Sequence, residues 1–462
     1  MGDPALRYPP QIRFVIGNEA LERFAFNGMR SILTSYLVTF VVLPERDAKG
    51  WFHAFMMATY LTPLVGGWLA DRFLGRYATI LRFSLFSVAG YATLALWQAP
   101  AGVVLGAGLV AAGAGGILPC ASAFVGEQLP AGDPGLLERV YGWFYWVINL
   151  GAAAANLAVP YLLQRFGPAA AFAAPLGAMS LATVLFWSGR RHYVASPPSG
   201  PKPHGFVRVL ASAVRRLGTH RAGEHWLDAA RDAHPAAAVE GAKAVLRVLG
   251  IFASVTVFWA LFDQTGSSWV IQAEKMDLQL GAWELAPAQL QALNPVLVML
   301  LVPLFTVAVF PALERRGRLL GPLAKMRAGM VATVLAFVAA AALQMVLDAG
   351  RAPSVLWQFP QYLLLTAGEV LVSVTGLEFS YTQAPRSMRS AIMSIWFLTV
   401  FLGNLLTLSV LALVELGDAG TLWFFAALML AATVAFGAVE RRFPVARAPR
   451  GAPTPPLAGP DV

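Results

Sequence analysis

Glu19, Glu22, Arg23 and Arg30 lie within residues 14–43, a stretch otherwise apolar enough and long enough to be a membrane helix. On insertion scales each such charge costs about 2.5–3.5 kcal/mol at mid-membrane, so four of them need a reason. Positions 19, 22, 23, 26, 27 and 30 follow at three- and four-residue steps and fall on one helix face. Glu19 and Arg23 form an i,i+4 pair with Glu22 beside them, a set able to share charge and exchange protons. Such a stripe is expected to line a wet or protein-filled interior and not to face lipid.

The elements that must position it are membrane helices. With 57% hydrophobic and 13% charged residues and a mean hydropathy of +0.61, the chain reads as an all-α, polytopic integral membrane protein. Twelve spans are expected, roughly at 14–43, 50–74, 76–98, 101–128, 138–164, 168–192, 243–273, 286–314, 321–349, 354–384, 388–416 and 418–442. Residues 1–192 then form one six-helix bundle and residues 243–442 a second. A polar linker, 193–242, carries an amphipathic helix through Val207–Arg231, and 443–462 is a disordered tail.

A net charge of +9 could signal nucleic acid, but its placement follows membrane topology. Lys and Arg crowd one set of loops: Arg72 and Arg76, Arg190 and Arg191, the linker, Arg315, Arg316 and Arg318, Arg386 and Arg389, Arg441 and Arg442. The opposite loops hold only Arg46, Lys49, Arg165, Lys275 and Arg351, which places both termini and the linker in the cytoplasm. No removable signal peptide is expected, and the single Cys120 excludes an intrachain disulfide.

Further polar groups sit inside spans in both halves: His53 and Tyr60, Asn149, Trp259 with Asp263, Asn294, Glu369, and Trp396. Pro119 marks a bendable point in the fourth span, and Glu378 is expected to be structural or part of an inner gate. At about 1.5 Å per residue, Arg30 stands some 25 Å and Asp263 about 30 Å above the cytoplasmic entry of their helices. His53 falls in the same outer layer, while Glu22, Arg23 and Asn149 lie near mid-depth and Glu369 at or below it. Two layers of ionisable groups suit a gate above a binding site; the alternative is a set of static salt bridges holding helices together.

Asp71, Arg72 and Arg76, in Gly67-Trp-Leu-Ala-Asp71-Arg72-Phe-Leu-Gly75-Arg76, suit a latch on a helix end. The loop has an echo at Pro311–Gly317, as a six-plus-six repeat would leave. This pair resembles the hairpin-loop motif of the major facilitator superfamily. Glu19-x-x-Glu22-Arg23-Phe24, Phe144-Tyr145-x-x-Ile148-Asn149-x-Gly151, Phe258-Trp259-Ala-Leu-Phe262-Asp263-Gln264 and the stretch from Gly368 to Arg389 extend the likeness. Together these residues resemble the proton-dependent oligopeptide transporter family over nearly every span. His53 and Glu224-His-Trp226-Leu-Asp228 look like animal members, but the large outer domain of those members is missing near Asp348–Arg351. A bacterial member is expected, in the inner membrane.

The resemblance implies proton-coupled symport of di- and tripeptides, with Arg23 on the peptide carboxylate and Glu369 on its amino terminus, assisted by Asn149 and Asn294. Tyr60, Trp259 and Trp396 would wall the side-chain pockets. Glu19 and Glu22 would carry coupling protons, with His53, Asp263 and Glu369 also titrating. Arg30, Asp263 and His53 would close the outer gate, and Asp71, Arg72 and Arg76 would act on conformation. The chain departs from the family where Phe26 and Asn27 replace two tyrosines, Asn27 offering an amide to the cargo, and where Leu118 replaces a lysine. That change leaves Glu369 without an expected cationic partner.

A free peptide is a zwitterion, so fixed opposite charges across a cavity can hold its ends while aromatic walls tolerate its side chains. Expected partners are small peptides, protons and the lipid bilayer, with no nucleic acid, no metal and no cofactor beyond the coupling proton; the protein is expected to be a monomer. A competing cargo is nitrate or a peptide-like drug. An intramembrane peptidase is disfavoured, because no Ser/Lys, paired-Asp or His-rich arrangement falls at matching depth.

Overall fold

The computed structural model describes residues 8–130, 134–194, 196–198, 200, 203–217, 225–317, 320–383 and 388–442. The expected tail at 443–462, and the linker and loop residues Glu224, Arg318 and Arg386, lie outside the described residues.

The chain is helical nearly throughout. Helices α1 (Ile12–Thr39), α2 (Glu45–Leu69), α3 (Arg76–Leu96), α4 (Pro100–Glu127) and α5 (Pro134–Ser188) precede the linker. Pro44 stands just before α2 and Pro100 opens α4, positions where a missing N–H costs nothing. Helix α5 covers the expected fifth and sixth spans and breaks at Gly167, whose φ of 81° is a left-handed value open to glycine.

After the linker come α7 (Ala236–Phe262), α8 (Ser268–Glu274), α9 (Leu293–Pro303), α10 (Phe310–Arg315) and α11 (Pro322–Asp348), then α12 (Phe359–Glu369), α13 (Thr375–Gln383), α14 (Arg389–Leu413) and α15 (Asp418–Arg442). A two-stranded antiparallel hairpin, Gln279–Leu280 with Trp283–Glu284, connects α8 to the segment leading into α9. Among the described residues nine helical segments are long and apolar enough to cross a membrane. Helices α1 and α2, at 28 and 25 residues, have the length but not the composition, α1 because of its charged stripe.

Several expected spans are not continuous α-helices. The seventh stops at Phe262 and passes through a 3-10 turn, Asp263–Gly266, before α8. The eighth enters through a 3-10 turn, Pro287–Ala292, and widens to a π turn at Leu304–Val309 just after Pro303, where a backbone N–H is lost. In the tenth a π turn, Val370–Val374, follows directly on Glu369.

The linker also differs from the expectation. A single helix through Val207–Arg231 does not form: α6 covers Phe206–Arg215, and a 3-10 turn follows at Trp226–Ala230, capped by the His225 side chain accepting from the Leu227 N–H. The helix that carries the seventh expected span starts at Ala236, ahead of that span. Val209, Ala213, Leu227, Ala230, Val239 and Ala242 bury a small core that fastens α6 and the turn to the start of α7. Lys243 Nζ donates to Asp228 at 2.7 Å and to Glu240 at 2.9 Å across the same junction.

The large buried clusters separate along the chain. One is built from residues of α7 to α15, and two from α1 to α5 and the residues around them. Helix α5 lies so close to α1 that a Cβ on Gly151 would come 2.5 Å from the Ala20 carbonyl oxygen. That approach sets the charged stripe of α1 against α5.

Candidate functional site

The stripe on α1 is buried: Glu19 and Glu22 are 4% and 3% exposed. Helical spacing brings Arg23 Nε to 3.3 Å from Glu19 and 2.5 Å from Glu22, so one guanidinium is shared by two carboxylates. Arg23 also lies over the Phe26 ring at 5.7 Å. One turn on, Asn27 Nδ2 donates to the Arg23 carbonyl at 2.9 Å.

Farther along α1, Arg30 Nη2 donates to Asp263 Oδ1 at 3.0 Å. Asp263 is available because α7 ends one residue before it. Its second oxygen accepts from Asn404 Nδ2 at 2.7 Å, and Asn404 Oδ1 meets His53 Nδ1 at 2.7 Å. Because the Asn404 nitrogen is donating to a carboxylate, its oxygen is the acceptor and His53 Nδ1 carries a proton. His53 Nε2 in turn meets Ser267 Oγ at 2.9 Å. His53 therefore reaches Asp263 through the Asn404 amide, with no ion pair between the two.

A ring of further bonds surrounds this chain. Thr34 donates to the Gly266 carbonyl at 2.6 Å, and Gln291 Nε2 to the Ser31 carbonyl at 2.9 Å. Beyond them Lys49 pairs with Asp418 at 2.9 Å, and Lys275 joins Glu45 at 3.0 Å to Asp418 at 2.9 Å. These contacts link residues before the linker to residues after it, at the end of the helices remote from Arg76.

Next to the ring opens a cavity of about 200 Å³. Of the residues singled out from the sequence, Arg23, Asn27, Arg30, Tyr60, Asn149, Trp259, Asp263, Asn294 and Glu369 line it. Asn294 Nδ2 donates to Glu369 Oε2 at 2.6 Å and to Thr366 Oγ1 at 3.2 Å. Trp396 is not among the lining residues: it packs edge-on behind Trp259, with ring centroids 6.1 Å apart, and against Phe252. Glu19, Glu22 and His53 stand behind the wall, and Leu118 is not part of it. Among the described residues no group of three or more His, Cys, Asp or Glu is arranged to hold a metal.

At the opposite end, α2 runs into a π turn at Ala70–Leu74, where the Asp71 carbonyl accepts from the Gly200 N–H at 3.1 Å. Arg76 forms an ion pair with Glu127 at the end of α4, and Arg72 covers the Phe73 ring. The loop thus ties α2, α4 and the linker together.

Sequence reading passed over Asn404, Gln291, Asn156 and Glu127. Asn404 lies in the apolar run Phe401-Leu-Gly-Asn404-Leu-Leu, the signal that had marked Asn149. Gln291 and Asn156 were hidden by their polar neighbours and by an Ala-rich context.

Comparison with known proteins gives a consistent result. The family model described as PTR2, POT family, matches residues 77–424. Human solute carrier family 15 member 2 is 35% identical over 393 residues, covering 80% of this chain and 54% of the relative. Peptide transporter family 1 of Drosophila melanogaster is 36% identical over 364 residues, covering 75% and 49%. The chain spans about half the length of these curated relatives. Among solved structures, an auto inhibited POT family peptide transporter is 39% identical with a TM-score of 0.89, covering 97% of this chain and all of its own. A proton dependent oligopeptide family transporter, also 39% identical, has a TM-score of 0.77 over 92% of this chain and all of its own. With a family model matched across most of its length and a solved family member sharing its all-helical fold, this multi-pass membrane protein belongs to the POT family.

Proposed function

We propose that the chain is a proton-coupled symporter of di- and tripeptides that works by alternating access. The observation that carries this reading is one cavity lined by Arg23 from the first half of the chain and Glu369 from the second. Opposite charges on two separately packed halves match the two ends of a zwitterion, and movement of one half against the other would carry it across. Glu369 with Asn294 receives the ammonium. Arg23 receives the carboxylate once its glutamates release it. Asn27 and Asn149 add amide contacts, and Tyr60 and Trp259 wall the side-chain space with Trp396 bracing Trp259.

Protons enter through the same bonds. Glu19 and Glu22 share the Arg23 guanidinium, so the coupling proton belongs to the set and no single residue owns it. Protonation of Asp263, or a second proton on His53, loosens the Arg30–Asp263 closure and opens the outer side. The Asp71–Arg76 loop holds the inner ends of α2 and α4 during that movement.

The architecture we propose is the major facilitator one: twelve spans in two six-helix bundles, 1–192 and 243–442, bridged by a cytoplasmic linker. The distribution of Lys and Arg supports cytoplasmic termini. The short connection between α11 and the 3-10 turn at Val355–Gln358 supports a bacterial inner-membrane protein, and we read it as a monomer. The test is uptake of labelled di- and tripeptides into proteoliposomes under an imposed pH gradient and voltage. Concentrative uptake that collapses with the gradient is expected; no uptake under any gradient overturns the reading.

A further inference from the structure

We infer that α6 docks on the bilayer: its second apolar face enters the headgroup layer, and Arg208 and Arg215 bind the phosphates of anionic lipids. The inference concerns the linker alone and holds whatever cargo the chain carries.

The first reason is that α6 is apolar on two sides. Val209 and Ala213 are fully buried against Leu227, Ala230, Val239 and Ala242, and that contact accounts for one face. Val207 and Val214, seven residues apart, share a face nearly opposite, because each step along a helix turns by about 100°. They are 74% and 52% exposed. A helix that packs only on protein needs a single apolar stripe, so the second one calls for another apolar partner.

Charge identifies that partner. Arg208 and Arg215 fall together along one edge between the two faces, and both are exposed. Among the described residues neither forms an ion pair, and α6 contains no acidic residue. Arg216, the next residue, pairs with Asp232 at 3.5 Å. An apolar stripe bordered by unpaired arginines is complementary to acyl chains beneath anionic headgroups, where each arginine strengthens attachment about fivefold.

Placement is a second, independent reason. Val239 and Ala242 belong to the first two turns of α7, which runs on from Ala236 into a membrane-crossing segment. Arg247, little more than a turn farther, is exposed and makes no ion pair among the described residues. An arginine exposed on a membrane helix keeps its head among the headgroups or in water while its stem lies along apolar surface. The membrane boundary therefore falls close to Arg247, and α6 is fastened to α7 where that helix enters the bilayer.

The test places a nitroxide on α6 of the full chain. The single native cysteine, Cys120, is buried, so labelling goes to an introduced Val214→Cys or, as the control, to Asp232→Cys, whose native side chain is 82% exposed. Collision with oxygen, which concentrates in lipid, and with a water-soluble nickel chelate is measured in vesicles of equal parts phosphatidylcholine and phosphatidylglycerol. Nickel access at 214 should be at least about threefold lower than at 232, and oxygen access higher, as for a face sunk about 5–10 Å into the boundary layer. In phosphatidylcholine alone, or with Arg208→Gln and Arg215→Gln together in the mixed vesicles, nickel access at 214 should rise at least about threefold. Equal nickel access at 214 and 232 in the mixed vesicles overturns the inference. So does low access to both probes, which means that protein covers the face, or dipolar broadening between labels, which means that a second copy does. Access that ignores both lipid charge and the arginine substitutions overturns the role given to Arg208 and Arg215.

Discussion

Arg30 of α1 and Asp263, the first residue beyond α7, stand 3.0 Å apart and join the two halves of the chain at one rim of the cavity. Neither is exposed enough for water to replace the other, with side chains 12% and 3% accessible. Removing one partner leaves an uncompensated charge, a cost of about 3–5 kcal/mol for buried pairs. Arg30→Gln and Asp263→Asn should each lower gradient-driven uptake at least about tenfold while leaving peptide binding within a few-fold, since the pair holds the closure. Exchanging the charges, Arg30→Asp with Asp263→Arg, should recover part of the loss. Unchanged uptake in both single variants would show that the pair has no part in closure.

His53 meets Asp263 through Asn404, so the amide is predicted to be the relay. Asn404→Leu keeps a side chain branched at the same carbon and removes both hydrogen bonds. Uptake measured from pH 5.5 to 8 should become flatter than in the parent, with detergent-phase peptide affinity unaltered. An identical pH profile would exclude the relay.

Glu22 bonds to Arg23 from the adjacent position, and Glu19 from the preceding turn. Glu22→Gln keeps a polar contact to this corner but cannot accept the coupling proton. Concentrative uptake should be lost, whereas exchange of labelled for unlabelled peptide across the membrane should persist. Full accumulation in this variant would remove Glu22 from coupling.

Gly151 lets α5 approach α1 where the stripe begins. Gly151→Val should separate them and cost about 1–3 kcal/mol by overpacking. Lower yield and a lower melting temperature in detergent would report it. Gly177→Ala is the comparison, since a Cβ there meets nothing within 4 Å and should leave the melting temperature unchanged or raised.

The linker offers a pH prediction outside the membrane. The hydrogen bond from Lys243, with Lys243 and Arg231 charges beside it, holds the Asp228 carboxyl below its ordinary 3.8. A depressed carboxyl stabilises the ionised junction at neutral pH, and the contribution disappears as pH falls below 3.8 through the lowered value. Asp228→Asn should therefore speed limited proteolysis at the linker arginines several-fold at pH 7. The variant and the parent should converge at the acid end of the range.

Local spacing carried the α1 stripe. Helical periodicity places Glu19, Glu22 and Arg23 together whatever surrounds them, and the cost of charge in lipid implies that they face inward. The membrane class and the loops rich in arginine follow in the same way, from composition summed over long windows. Spacing within one segment says nothing about rotation against a distant one. Only the packed structure decided that Asn404 stands between His53 and Asp263, that Trp396 backs Trp259 instead of lining the cavity, and that α6 and the 3-10 turn at Trp226–Ala230 pack on α7. The use made of the end of α7 belongs with these, because Asp263, the residue beyond it, is held by Arg30 and Asn404 from far away in the chain.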